Sequence, residues 1–271
     1  MKATVIYFST TGTSAKVAGG IIRGLDGMEI EVVDVTKAPA GELKVGRDGF
    51  LLVVSPVYGG HVPAIVRERL DSISGDSAPA AIVAVYGNRA FEKAVTDMSA
   101  FLSERGFIPM AGAAFVGEHS YSSASNPIAV GRPDDRDLAD AAEFGRELSR
   151  RLSSTDTVEA DLSSLTDEAS SQESLANFIS FVRGYQKQQS EHPTVYLPVP
   201  DADVCTECGS CVDVCPTAAI DAESFLTDPK RCIKCCACVK FCPAGAREFN
   251  SPFAPVLSAN FSARKSPRWI I

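Results

Sequence analysis

Cysteine is missing from the first 204 residues of this 271-residue chain, although nine cysteines follow. A disulfide framework is therefore excluded for most of the protein, and the odd count argues against one in the remainder. Basic residues are also in deficit. Lys and Arg total 26 against 34 Asp and Glu, for a net charge of -8, and no basic stripe interleaved with aromatics is present, which argues against a nucleic-acid footprint. No run approaches the length of uninterrupted apolar residues that spans a bilayer, and the segment Met1 to Phe8 has no charged leader followed by a small-residue cleavage site. The chain is thus expected to have no membrane span and to be soluble and cytoplasmic. Neither a GK[ST] phosphate loop nor a GxGxxG fingerprint follows any expected strand, so Walker-type and dinucleotide-binding chemistry are not indicated.

What is present begins with the cysteines. Cys205-Thr-Glu-Cys208-Gly-Ser-Cys211-Val-Asp-Val-Cys215-Pro216 is repeated as Cys232-Ile-Lys-Cys235-Cys-Ala-Cys238-Val-Lys-Phe-Cys242-Pro243. Four thiolates at this x2, x2, x3 spacing, closed by proline, match the run that wraps cubane iron-sulfur clusters, in which the fourth cysteine ligates the other cluster. Two 4Fe-4S clusters are expected. Cys205, Cys208, Cys211 and Cys242 would hold one, and Cys232, Cys235, Cys238 and Cys215 the other. Zinc sites usually pair two CxxC units across a longer gap, without a third cysteine at the same step. The ninth cysteine, Cys236, breaks the repeat and is expected to be a small buried filler.

Residues 1–152 alternate short apolar runs with helix-compatible segments, the pattern of a parallel sheet covered on both faces. Strands are expected at 3–8, 29–35, 50–55, 80–86 and 109–116, and helices at 14–25, 63–73, 90–105 and 134–152. This order predicts a flavodoxin-like, doubly wound, five-stranded parallel sheet in an α/β domain. Asp134, Asp135 and Asp137 are expected to serve the positive end of the last helix. Residues 153–174 hold seven serines and six acidic residues without Lys or Arg, a linker composition. The linker, 153–200, should be interrupted by a short amphipathic helix around Leu175 to Val182, behind a Ser170-x-x-Glu173 capping box. Residues 201–250 form a small α+β ferredoxin-type module too short to stabilise itself by apolar burial alone. Residues 251–271, with Arg264-Lys265 and Arg268-Trp269, read as a strap returning to the larger domain.

The first expected strand runs into Ser9-Thr10-Thr11-Gly12-Thr13-Ser14 and then a helix. Hydroxyls and unpaired N–H groups at a helix N-terminus make an anion site. Without a lysine, the loop suits a single terminal phosphate such as that of FMN. The third strand ends in Pro56-Val57-Tyr58-Gly59-Gly60-His61 and the fourth in Tyr86-Gly87-Asn88-Arg89, at the sheet edge where ligands of such folds bind. Tyr58 is placed to stack on a planar ring, Gly59 and Gly60 to let the backbone approach it, and Tyr86 to Arg89 to line the opposite edge. Arg89 either faces the ring or pairs with Glu92 or Glu118. His119, beside Glu118 after the fifth strand, is a candidate proton donor or a loop histidine bonded to backbone. His61 is a weaker flavin contact, and His192 lies in the linker.

Taken in order, Phe8-Ser-Thr-Thr-Gly-Thr, Pro56-Val-Tyr-Gly-Gly, Tyr86-Gly-Asn-Arg, Gly117-Glu-His-Ser120 with Gly131-Arg-Pro-Asp134, and the two cysteine runs resemble the flavodoxin-ferredoxin fusion proteins of anaerobic bacteria and archaea. The resemblance covers almost the whole chain. It implies FMN in the first domain, two 4Fe-4S clusters in the second, and electron transfer as the general role. Thr11 and Ser14 depart from the family's usual phosphate loop, which is closer to Ser-Gly-Thr-Gly-Asn-Thr.

A flavin takes two electrons and a cubane cluster passes one, so the leading expectation is a carrier of low-potential electrons between soluble redox proteins, either ferredoxins or flavoprotein oxidoreductases. An FMN-dependent reductase of a quinone, nitro compound or enoate, with Arg89 and His119 as its candidate catalytic residues, is the alternative enzyme reading. A redox or oxygen sensor is the third. The twin runs predict about eight iron atoms per chain. Iron and zinc analysis of the anaerobically purified protein checks this, and a count near four, or zinc in place of iron, would contradict it.

Overall fold

The computed structural model describes residues 1–154 and 158–271, so part of the expected linker lies outside the described residues. The chain divides into two compact units. One comprises Met1–Glu118, Gly131–Glu168 and Arg264–Ile271, and the other His119–Val130 and Ala169–Ala263.

The first unit is built on β1 (Lys2–Tyr7), β2 (Glu29–Asp34), β3 (Leu43–Val45), β4 (Gly49–Pro56), β5 (Ile73–Gly75), β6 (Ala78–Tyr86) and β7 (Phe107–Val116), with helices α1 (Thr13–Ile22), α2 (Ala64–Arg69), α3 (Ala94–Ser103) and α4 (Asp135–Leu152). The strands β2-β1-β4-β6-β7 lie side by side in parallel, while β3 and β5 form a separate two-stranded pair. All nine residues of β6 are buried, as expected of a central strand covered on both faces. The edge strand β2, by contrast, is partly exposed along its whole length.

Each strand turns alternate side chains to opposite faces. Ala3, Val5, Leu52, Val54, Val83 and Phe115 share one core with Val17 and Ile21 of α1 and Phe144 and Leu148 of α4. Ile6, Leu51, Val53 and Ile82 are buried as well, so the second face is also covered. Gly112, between Ala111 and Ala113 of the first core, approaches Val95 of α3. The acidic start of α4 is a reciprocal cap. Asp137 N–H donates to Asp134 Oδ1 at 3.1 Å, and Asp134 N–H to Asp137 Oδ2 at 3.0 Å.

The sheet carries a sixth strand that periodicity did not reveal. Strand β10 (Arg268–Ile270), named in chain order after the elements of the second unit, pairs antiparallel with β7. Its Trp269 stacks on Phe115 at 6.4 Å and donates from Nε1 to Glu147 Oε2 at 2.9 Å. Only residues 264–271 of the expected strap thus belong to the larger unit.

The second unit contains α5 (Gln172–Glu191), β8 (Val199–Pro200), α6 (Ser210–Asp213), α7 (Ala237–Lys240), β9 (Arg247–Glu248) and α8 (Phe253–Asn260). The expected short linker helix is a 20-residue helix, and its cap is Ser171, which accepts from Ser174 N–H, rather than Ser170 with Glu173. No α5 residue is fully buried. It is held by ring contacts, Phe178 on Phe261 at 5.5 Å and Phe181 and Tyr185 on Phe253 at 5.2 and 5.0 Å. The segment His119–Val130 joins the same unit, where Ile128 packs with Leu257 and Phe261 and Tyr121 meets Phe249 at 5.2 Å. The cysteine module therefore carries about as much chain outside residues 201–250 as within them, because those residues bury too little apolar surface alone. No helix among the described residues is long and apolar enough to cross a membrane.

Helices α1 and α4 meet through glycines. A Cβ added to Gly145 would lie 2.2 Å from the carbonyl oxygen of Ile21. Gly145→Ala gains about 1 kcal/mol of helix propensity but drives a methyl group into backbone that cannot yield, so the overpacking cost of up to about 3 kcal/mol or more decides the sign. A lowered denaturant midpoint is expected, and an unchanged or raised midpoint would refute this account of the helix contact.

Candidate functional site

The two cysteine runs line two small cavities. Cys205, Cys208, Cys211 and Cys242 line the first, with Phe225 and Arg247. Cys215, Cys232, Cys235 and Cys238 line the second, with Ile220 and Cys236. The fourth cysteine of each run thus stands with the first three of the other. Among the described residues no three His, Cys, Asp or Glu side chains are arranged to hold a single metal ion.

The backbone repeats as faithfully as the cysteines. Glu207 and Lys234 have φ of 54° and 57°, Gly209 and Cys236 have 75° and 60°, and Ala218 and Gly245 have 48° and 64°. Each pair holds the same place in its run. Left-handed backbone is costly for residues other than glycine, so six positive-φ residues at matched positions, four of them not glycine, show that both runs wrap in one shape. Cys236 therefore stands where the first run has glycine, and it is only 2% exposed. Backbone N–H groups point at the thiols, with Ala219 on Cys215 Sγ and Ala246 on Cys242 Sγ, both at 3.2 Å, and Lys234 on Cys232 Sγ at 3.4 Å.

In the first unit, the loops after β1, β4, β6 and β7 adjoin one another. Gly12 precedes α1 with φ of 88°, and Ser9 Oγ accepts from Ala15 N–H at 3.0 Å. Thr10 Oγ1 and Tyr58 OH are 3.3 Å apart, which joins the first two loops. Tyr58 and His61 exchange backbone hydrogen bonds of 2.9 and 3.2 Å around Gly59 and Gly60, which have φ of 61° and 87°. Lys93 N–H donates to Gly60 O at 3.0 Å, and a Cβ on Gly60 would lie 2.0 Å from Glu92 Oε2. A Cβ on Gly117 would touch Thr13 at 3.0 Å.

The remaining predicted residues fall in different places. Pro56 ends β4 and is half-buried with Val57. Asn88 is buried in the left-handed region at φ of 68°, after Gly87. Tyr86, at the start of the expected ring-lining edge, ends β6. Its side chain is 3% exposed and packs edge-on against Phe91, and burial pushes its phenol pKa up. The Arg89 guanidinium pairs with Glu92 at 2.6 Å. His61 Nδ1 pairs with Asp97 at 2.6 Å. His119 lies in the second unit, where its Nδ1 accepts from Tyr121 N–H at 3.0 Å, and Glu118 Oε2 accepts from Gly131 N–H at 3.0 Å. His192 caps α5.

A flavodoxin domain family model matches residues 4–124, and a 4Fe-4S dicluster domain model matches residues 197–243. The chain is a fusion of these two domains. Among curated proteins, a diflavin flavoprotein of Thermosynechococcus vestitus is 29% identical over 112 residues, which is 39% of this chain and 19% of that protein's length. Among solved structures, a flavodoxin from the domain Archaea is 17% identical at a TM-score of 0.41, covering 57% of this chain and 100% of that one. Oxidised flavodoxin 2 from Bacillus cereus is also 17% identical at 0.41, covering 56% and 99%.

A flavodoxin domain takes FMN, and a 4Fe-4S dicluster domain takes iron-sulfur clusters. The residues present fit both groups. In the flavodoxin domain, the first-turn N–H groups of α1 have no intrahelical acceptors, and Ser14 Oγ is buried with no hydrogen-bond partner among the described residues. In the dicluster domain, burial pushes the Cys235 thiol pKa up to about 12 and raises those of Cys232 and Cys238 as well, so these thiols ionise when a metal displaces their protons. Cys208 is exposed and shifted down, chiefly by its hydrogen bond with the Ser210 hydroxyl.

Several residues escaped sequence reasoning. Asp167 accepts from Phe91 N–H and Glu92 N–H at 2.7 and 3.0 Å, and Lys265 Nζ donates to Arg89 O at 2.6 Å. Two distant segments thereby brace the loop after β6. Arg132, ion-paired with buried Asp137, donates to Lys265 O at 2.9 Å. These residues carry no local motif; only the serine- and acid-rich linker hinted at any of them.

The grouping of cysteines makes a crossed prediction. Cys215→Ser is expected to damage the cluster of the second run, and Cys242→Ser that of the first. Iron content and low-temperature EPR of each variant check it. Loss of the cluster belonging to the variant's own run would refute the assignment.

Proposed function

We propose that this chain carries low-potential electrons between soluble redox proteins, passing them between two 4Fe-4S clusters and FMN and so converting one-electron into two-electron transfer. The observation that supports it most is the pair of matched cysteine cavities in a chain that also holds a four-loop cradle at the strand ends of a flavodoxin domain. When bound, the clusters supply one-electron steps and FMN a two-electron capacity. The chain's own residues hold and tune. The first turn of α1 and the hydroxyls of the Ser9 to Ser14 loop would hold the phosphate, Tyr58 would lie against the ring, and Gly59 and Gly60 would permit close backbone approach. Arg89 remains the candidate charge at the ring edge, shared with Glu92. N–H groups donating to Cys215, Cys232 and Cys242 favour electron-rich sulfur.

Ferredoxins and flavoprotein oxidoreductases are the partners this reading implies. The test is anaerobic reduction with dithionite followed by rapid mixing with such proteins and, separately, with a quinone, a nitro compound and an enoate. Fast exchange with a protein partner and no discharge into the small molecules is expected. Steady turnover of a small acceptor, lost in Arg89→Ala or His119→Ala with FMN retained, would instead establish the reductase reading.

A further inference from the structure

A buried cation without a carboxylate partner among the described residues lies beside Cys211. Arg247, the first residue of β9, is 3% exposed. Arginine stays protonated at any accessible pH and carries five N–H donors. Nη1 donates to Phe225 O at 2.8 Å and lies 3.8 Å from Cys211 Sγ, while Nη2 donates to Pro198 O at 3.0 Å and Thr227 Oγ1 at 2.6 Å. Nε is buried with no hydrogen-bond partner among the described residues. Arg247 also forms no ion pair with Asp or Glu among those residues.

A guanidinium taken out of water without an opposite charge is strongly disfavoured. The neighbours that can supply that charge are the cysteines, which become thiolates on cluster binding. Arg247 lines the cavity of the first set. Cys211 of that set packs in one buried cluster with Cys238 of the other.

We propose that Arg247 serves both clusters at once, its guanidinium held by Pro198, Phe225 and Thr227 so that the charge stabilises each reduced cluster and Nε is left to donate to cluster sulfur. Reduction adds a negative charge, so a fixed neighbouring cation favours the reduced form and raises the potential. The effect is enlarged by the low dielectric of a buried site. The inference rests on the two-cluster reading above.

The test is an anaerobic EPR-monitored redox titration of the full-length holoprotein, with iron content measured in parallel. In Arg247→Gln, reduction of both clusters is expected to become about tenfold less favourable, a drop of about 59 mV for one electron. Arg247→Lys, which keeps the charge and loses the planar fork, should recover most of that shift. A change in one potential alone would overturn the shared role, and two unchanged potentials at full iron content would overturn any role. If Arg247→Gln does not retain iron, Thr227→Val carries the test: it loosens the guanidinium without removing its charge, both potentials are expected to fall, and no shift at either cluster at full iron content overturns the inference. A wild-type count near four irons would fail differently, by removing the two-cluster premise.

Discussion

Parallel pairing is the constraint on which the flavodoxin domain depends. Strands that run the same way must be joined by crossovers on the faces of the sheet, so the ends of β1, β4, β6 and β7 gather along one edge. The loops there need not be long to meet. Thr10 reaches Tyr58, Lys93 reaches Gly60, and Gly117 lies against Thr13. Each contact joins residues far apart in sequence, and a cradle assembled this way exists only when the sheet does. The close packing of α1 on α4 through Gly24 and Gly145 fixes the helix that follows the loop after β1.

The dicluster unit meets the opposite problem, a shortage of apolar surface. Its order comes from a repeated backbone shape in which six matched residues adopt positive φ, and from N–H groups aimed at sulfur. Aromatic contacts between α5 and α8, and the segment His119–Val130, widen the unit beyond the cysteine runs. Buried thiols resist ionisation, so the folded apo-protein and the metal-loaded protein differ in proton content as well as in iron. Arg247 lies buried in the same unit, with its guanidinium held by Pro198, Phe225 and Thr227 beside Cys211.

Much of this was legible beforehand. The five parallel strands were found to within two residues at each end, because continuous apolar runs are a local signal. The capping role of Asp134 and Asp137 followed from their place before a helical period. The pairing of Arg89 with Glu92 had been weighed against ring contact, and the structure contains it. That the Tyr86 side chain packs under Phe91 was not legible, because the end of a strand looks alike whether its last side chain turns outward or inward. The cap of α5 shifted from Ser170 to Ser171 because adjacent serines offer the same hydroxyl, and helix register chose between them.

By itself the sequence determined the chemistry that spacing can write. Four cysteines at this repeated spacing are the signature of a cluster-wrapping run, and a hydroxyl-rich turn before a helix presents donors to an anion. Tertiary structure decided what depends on distant segments meeting. It placed β10 antiparallel on β7, gave the His119–Val130 segment to the cysteine unit, and brought Lys265 to the carbonyl of Arg89 across 176 residues. It also buried Arg247 beside Cys211. A charge has no period and no motif, and its role is set by the dielectric and the neighbours that folding supplies.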